Sequence, residues 1–255
     1  MIDNEILPFI RPETRITKIN KTQIYAFQSY LIDKEYSKRT VNLYVGTLRA
    51  MLRRIPEWFE ALKDWNPPRI EQLRHEVKPP KFFSEKECEI LLKVAKEYGE
   101  SIYLTIAFAR YCGFRKGEIM RLLWEDIDLK ENRIMVETRK NKHFLGVPIH
   151  PKLAEILKTI PKTKRKGPVI KKKGGGIRQD IRHPWRQVRK MAGEKYGVRQ
   201  DLGLHGLRHS FGAHLAQKGV GIHALRELMG HKSLQVTQRY AHLNDERLRE
   251  DIEKL

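Results

Sequence analysis

"HGLRHSFGAHL", residues 205–215, carries two stripes at helical spacing. Leu207, Phe211 and Leu215 recur at i, i+4 and i+8, the pattern of a face turned toward a core. His205, Arg208, His209 and Gly212 recur at i, i+3, i+4 and i+7 on another face. The spacing predicts a helix over about 205–218 with Gly219 as its C-cap, and Gly212 leaves room for another backbone to come close. So much latent positive charge on one face is either solvated surface or one wall of an anion pocket. Downstream, "GIHALRELM" reads as a second helix that stops at Gly230 and is followed at once by His231. Ser233 is placed to cap a third, "SLQVTQRYAHL", with Tyr240 on its second turn.

Two basic elements lie upstream. In "YCGFRKGEIMRLLWEDID", Arg115 follows a glycine turn and opens a helix predicted over 115–123, whose N-terminus adds its own attraction for an anion. Glu118, one turn on, can orient Arg115 or stand as a surface charge. Further along, "RIMVETRKNKHFLGVPIH" holds two β-rich runs around a basic tip that contains Lys140 and Lys142, a hairpin pattern. Residues 156–179 contain nine Lys or Arg and no acid, a composition expected of a mobile, solvated loop and suited to contact with a phosphate backbone. Helices are also predicted over 84–97 and 101–111. The fold class expected is mainly α with a small β-hairpin.

The N-terminal part reads as helical. In "SKRTVNLYVGTLRAMLRRIPEWF", Val41, Tyr44, Val45, Leu48, Met51 and Leu52 mark one face, with Ser37 as N-cap and Pro56 as the stop. Arg39, Asn42, Arg49 and Arg53 fall on the other face, as solvated surface or as a strip laid along phosphates. An earlier helix turns Ile24, Phe27 and Leu31 inward. Proline pairs at Pro67-Pro68 and Pro79-Pro80 place a domain boundary near residue 80, dividing the chain into a small helical domain over 1–80 and a larger one over 81–255.

Charge limits the classes of function. The 255 residues carry 51 Lys plus Arg against 31 Asp plus Glu, a formal net charge of +20, which calls for a polyanionic partner. Residues 1–80 hold 14 basic and 10 acidic side chains, and residues 81–255 hold 37 and 21, so the larger part carries most of the excess. Two cysteines, Cys88 and Cys112, are too few for a disulfide scaffold, and both sit among apolar neighbours as expected of core thiols. No signal peptide or membrane-spanning run is present in the sequence, and the expectation is a soluble protein of the cytoplasm.

The ordered set "GFRKGEIMRLLWEDID", "HGLRH" and "MGHKSLQVTQRY" resembles the tyrosine recombinases, the family of Xer proteins, Cre and phage integrases. The resemblance spans residues 81–250, including Tyr240 nine positions after His231. It implies that Arg115 and Arg208 are the two catalytic arginines and that His205 is the proton acceptor. His231 would be a further phosphate-binding histidine, and Tyr240 the nucleophile. Counting back from "VPI" at 147–149, Lys140 matches the family's hairpin lysine. The family often has an arginine shortly before that "VP", where this chain has Leu145 and Gly146, so Lys142 stands as a second candidate.

The resemblance further implies a site-specific DNA recombinase that forms a 3′-phosphotyrosyl intermediate and exchanges strands through a Holliday junction. It would clamp double-stranded DNA between a core-binding domain and a catalytic domain. The assembly implied is a homotetramer on two sites, with the helix in "NDERLREDIEKL" docked on a neighbour or packed on its own domain. No cofactor and no metal are implied. His205 and His209 have the i, i+4 spacing of a helical zinc pair, but Gly206, Leu207 and Arg208 between them supply no carboxylate and one cation. His209, His214, His223 and His242 read as structural or surface residues. Two other readings of the chain are a type IB topoisomerase-like relaxase and a DNA-binding or architectural protein without turnover.

Overall fold

A computed structural model describes residues 2–11, 13–75, 79–137, 144–172, 176, 180–244 and 252–253. The chain divides into two units, Met1–Lys78 and Pro79–Leu255. In the first, a π-helical turn (Ile2–Ile6) and α1 (Leu7–Phe9) precede two longer helices, α2 (Lys21–Asp33) and α3 (Lys38–Trp58). Asn20 Oδ1 accepts from Gln23 N at 3.0 Å to start α2, and Ser37 Oγ accepts from Thr40 N at 3.2 Å to start α3. Ile24, Phe27 and Leu31 of α2 form one core with Val41, Val45, Leu48 and Leu52 of α3.

Two expectations for this unit need correction. Pro56 does not stop α3 but lies inside it. Its missing N–H removes one bond from the final turn, and the helix ends two residues later, where Phe59 N donates to Ile55 O at 3.0 Å. Asn42 is buried rather than solvated. Its Nδ2 donates to Leu73 O at 2.8 Å and its Oδ1 accepts from Leu73 N at 2.8 Å, so one side-chain amide satisfies both backbone groups of a residue that belongs to no helix or strand. Gln28 Nε2 holds the same segment through Glu71 O at 2.9 Å.

The second unit is mainly α-helical with one small sheet. α4 (Glu85–Tyr98) opens with a capping box in which Ser84 Oγ accepts from Glu87 N and Glu87 Oε2 accepts from Ser84 N. α5 (Glu100–Tyr111) is buried along most of its length and is followed by the α6 turn (Lys116–Ile119). An antiparallel sheet of β1 (Ile127–Asp128), β2 (Arg133–Glu137) and β3 (Phe144–Pro148) comes next. Ile134 pairs with Val147 and both are buried, which fixes the face that β2 and β3 turn toward the core. α7 (Pro151–Lys158), α8 (Arg182–Tyr196), α9 (His205–Gln217), α10 (Ile222–Leu228) and α11 (Leu234–Thr237) complete the unit, with a 3-10 segment over Gln238–Asn244. The main core gathers Phe83, Leu91, Phe108, Ile119, Leu153, Trp185 and Leu207. Cys88 and Cys112 are buried free thiols.

Several boundaries differ from those expected. The helix after Arg115 covers only Lys116–Ile119, because the chain turns there and runs as a 3-10 turn over Trp124–Asp126 into β1. The basic stretch from residue 156 is not a free loop. Its start belongs to α7, and later Val169 N donates to Leu122 O while Trp124 N donates to Gly167 O, which buries Val169 and Ile170. Ser233 makes no side-chain cap, α11 is a single turn, and Tyr240 stands in the 3-10 segment rather than in an α-helix. Lys140 and Lys142 lie outside the described residues, as does most of "NDERLREDIEKL". Among the described residues, no helix is long and apolar enough to cross a membrane.

Candidate active site

α9 is the element on which the site is built. Its start is pinned by Ser210 Oγ, which donates to Gly206 O at 2.9 Å and accepts from Phe83 N at 2.9 Å. Gly206 keeps this packing close, since an added Cβ would lie 3.0 Å from the Phe83 ring and 3.1 Å from Leu202 Cβ, and its neighbours would have to give way. With the apolar face of α9 held in the core, the other face brings His205, Arg208 and His209 to one side.

Arg208 ties three elements together. Its side chain is 3% exposed. Its Nη1 donates to Gly113 O at 2.6 Å and its Nη2 donates to Met229 O, so the guanidinium bridges the turn after α5 and the end of α10. Both ends need glycine: Gly113 has φ 64° and Gly230 has φ 57°, a left-handed backbone that other residues adopt only with strain. Burial and the neighbouring Arg115 push the Arg208 pKa down to about 10, so it remains a cation at neutral pH.

Arg115 stands at the N-terminus of α6. Glu118 orients it from one turn on, its Oε2 accepting from Arg115 N at 2.7 Å and its Oε1 from Arg115 Nη1 at 2.8 Å. Arg115 Nη2 also reaches Gly230 O at 3.4 Å. Glu118 lies 3.9 Å from Arg208 as well, a single carboxylate between two guanidiniums. His231 follows Gly230 directly, and its Nδ1 is 2.9 Å from Thr237 Oγ1, a fully buried hydroxyl. That contact engages Nδ1 of a ring that also lines a cavity together with Arg115 and Arg208. Burial and then Arg208 and Arg115 push the His231 pKa down to about 4, and the same three causes lower that of His205.

These groups face a cavity of about 890 Å³ lined by Arg115, Lys116, Arg121, His205, Arg208, His231 and Lys232 on its polar side. Glu118 is the carboxylate in this lining, and Val136, Val147, Leu228, Met229 and Val236 form the apolar side. Cations from three separate segments therefore converge on one water-accessible volume, an arrangement that concentrates positive potential on a bound anion.

Tyr240 is 1% exposed and packs with Phe211, Leu225 and Met229. Its hydroxyl lies 2.7 Å from His209 Nδ1. The space at Gly212 is filled by side chains rather than by the backbone expected there: an added Cβ would lie 2.7 Å from Met229 Sδ and 3.0 Å from Tyr240 Cζ. Burial pushes the Tyr240 pKa up to about 12, against the opposing pull of Arg208 and Arg239.

The structure thus gathers Arg115, Glu118, His205, Arg208 and His231 around the cavity and sets Tyr240 beside α9. His205 is not the residue found on the Tyr240 hydroxyl. That place belongs to His209, which reads from the sequence as structural or surface, although it shares the face of His205 and Arg208. Thr237, which orients His231, carries no signal in the sequence. His205 and His209 meet edge to face with ring centroids 4.6 Å apart. Among the described residues, no group of three His, Cys, Asp or Glu side chains could hold a metal ion.

The phage integrase family profile matches residues 81–247. The chain is 30% identical over 244 residues to tyrosine recombinase XerA of Thermococcus kodakarensis, covering 92% of this chain and 82% of that protein. It is 28% identical over 256 residues to tyrosine recombinase XerC of Pediococcus pentosaceus, covering 95% and 84%. Among solved structures, a XerA recombinase aligns with a TM-score of 0.55 at 25% identity, over 99% of this chain and 88% of that one. The fold also matches the Tn1549 transposon integrase in complex with transposon right end DNA, with a TM-score of 0.78 at 16% identity, over 99% and 91%.

Proposed function

This chain belongs to the phage integrase family and is a tyrosine recombinase, and we propose that it cuts and rejoins DNA through a covalent bond between Tyr240 and a 3′-phosphate. The observation that carries this reading is the placing of Tyr240 against α9, the helix from which His205 and Arg208 line a cavity that holds five Lys or Arg side chains and one carboxylate.

A DNA phosphodiester repels nucleophiles, and attack by tyrosine adds negative charge to its nonbridging oxygens. Arg115 and Arg208 supply forked donors to those oxygens, and His231, oriented by Thr237, supplies one more. Burial of Arg208 makes its charge act through less water, which strengthens that contribution. Glu118 fixes the Arg115 fork and is a positioning residue. The leaving 5′-oxygen needs a proton, and the tip between β2 and β3 carries the donor, Lys140 or its near neighbour Lys142. Both lysines fall between Glu137 and Phe144 in the sequence, the last residue of β2 and the first of β3. The phosphotyrosyl bond conserves the energy of the bond it replaces, so the reverse attack by a 5′-hydroxyl needs no added energy source, metal or cofactor.

The unit Met1–Lys78 is the DNA-clamping domain in this reading. A groove around Trp65 is lined by Arg49, Arg53, Lys63 and Arg69 with no carboxylate, a surface suited to phosphates. Four protomers on two DNA sites would exchange strands in pairs through a Holliday junction, with the C-terminal residues docking on a neighbour. A plasmid test separates this from the topoisomerase-like reading. SDS-resistant adducts are first captured on a pool of randomised nicked duplexes, and the recovered sequence is cloned twice into one plasmid. Recombination between the two copies, undiminished by EDTA, is expected. Relaxation of a plasmid without the sequence at an equal rate, with no recombinant product, would favour the relaxase.

A further inference from the structure

His205 is the group the family resemblance marks for proton transfer, yet the hydroxyl of Tyr240 meets a different imidazole. His209 Nδ1 lies 2.7 Å from Tyr240 Oη, within the range of a short hydrogen bond. From this geometry we infer that His209 is a catalytic residue of this recombinase, the direct acceptor of the Tyr240 proton, with His205 facing the phosphate. The inference rests on Tyr240 being the nucleophile.

Three observations support it. First, Tyr240 is 1% exposed, so bulk water does not reach its hydroxyl to take the proton, and His209 is the partner that does. Second, His209 is neutral at physiological pH: burial, and then the charges of His205, Arg239 and Arg208, push its pKa down to about 4. A neutral ring whose Nδ1 accepts from the hydroxyl carries its own proton on Nε2. Third, His205 lines the cavity where the phosphate belongs and His209 does not. The two rings share one helix but serve opposite ends of the reaction.

Proton and bond changes balance. The Tyr240 O–H bond breaks and its proton passes to His209 Nδ1 as the oxygen–phosphorus bond forms, while the P–O5′ bond breaks and the leaving oxygen takes a proton from the hairpin lysine. In the rejoining step the imidazolium returns the proton to Tyr240 and the incoming 5′-hydroxyl returns one to the lysine. The charges that face His209 are those of His205 and Arg208 on its own helix and of Arg239 on the 3-10 segment. A bound phosphate is an anion among these cations, so its arrival raises the basicity of His209 just when the proton must move.

Single-turnover formation of the SDS-resistant adduct on a pool of randomised nicked duplexes tests this, with DNA affinity measured in parallel. His209→Gln keeps a hydrogen-bond acceptor for the hydroxyl but cannot take the proton, and His209→Ala does neither. Both are expected to bind DNA like the wild type and to form adduct about a hundredfold to ten-thousandfold more slowly. Their rates should climb by about tenfold per pH unit toward the raised pKa of Tyr240, about 12, while the wild type stays flat above neutrality. Imidazole in solution should restore part of the rate of His209→Ala. A His209→Gln enzyme with wild-type rate and a flat pH profile would overturn the inference and leave His209 as a structural partner. So would the climbing profile appearing in His205→Ala and in neither His209 variant. Adduct persisting in Tyr240→Phe would instead overturn the assignment of the nucleophile on which the inference stands.

Discussion

Around Gly212 the fit of single atoms decides whether the nucleophile stays in place. A Cβ there would press on Met229 Sδ at 2.7 Å and Tyr240 Cζ at 3.0 Å, and both belong to the small apolar cluster that holds the tyrosine ring. A methionine can yield, because its side chain is flexible, but the tyrosine ring is rigid. Gly212→Ala is therefore expected to leave DNA binding intact, since no phosphate-facing group is touched, and to slow adduct formation by about a hundredfold through misplacement of the hydroxyl. A gel-shift titration alongside a single-turnover time course measures both effects. Equal loss of affinity and rate would mean that the substitution disturbs α9 as a whole. His209 shows why part of the site was not legible in the sequence. The helical spacing puts it beside His205 and Arg208, but its partner Tyr240 lies 31 positions downstream, and no local pattern announces that contact.

Helices hold this chain together by satisfying loop backbone as well as by packing. Asn42 uses its amide to bond both the N–H and the C=O of Leu73, a role invisible in the i, i+3, i+4 pattern that set it on a polar face. Asn42→Ala would leave two backbone groups without these partners, and stability is expected to fall by about 1–3 kcal/mol. Asn42→Asp, which sets a carboxylate against Leu73 O in a buried position, should lose at least as much. Thermal unfolding of the full chain, followed by circular dichroism, checks both, and no change in either variant would contradict the clasp. The long amphipathic helices α3 and α4 were legible because their apolar spacing runs over three or more turns and their caps, Ser37 and Ser84, are local. The short ones were not. α6 and α11 are single turns, too short for a periodic pattern, and the chain after α6 is held by a distant segment, where Val169 N donates to Leu122 O and Trp124 N to Gly167 O.

Over the whole molecule, charge sets both the partner and the response to pH. With a net charge of +20, affinity for DNA is expected to fall steeply with added salt as bound counterions are released. Stability should respond to acid through histidines held neutral by burial. His209, His214 and His231 are each pushed down to about 4 from the ordinary value near 6.5. Between those values the unfolded chain binds more protons than the folded one, so stability is complete above about pH 6.5 and is lost as pH falls toward 4. Thermal midpoints measured across that window should decline with acid, and a midpoint that rises would contradict the buried neutral state of these rings. The central claim, that this tyrosine recombinase acts through Tyr240, is tested most directly by mapping the covalent adduct. Protein trapped on nicked duplex, digested and sequenced by mass spectrometry, should yield one modified peptide, with a 3′-phosphonucleotide on Tyr240 and none in Tyr240→Phe. Modification of another tyrosine such as Tyr196, or attachment through a 5′-phosphate, would contradict it.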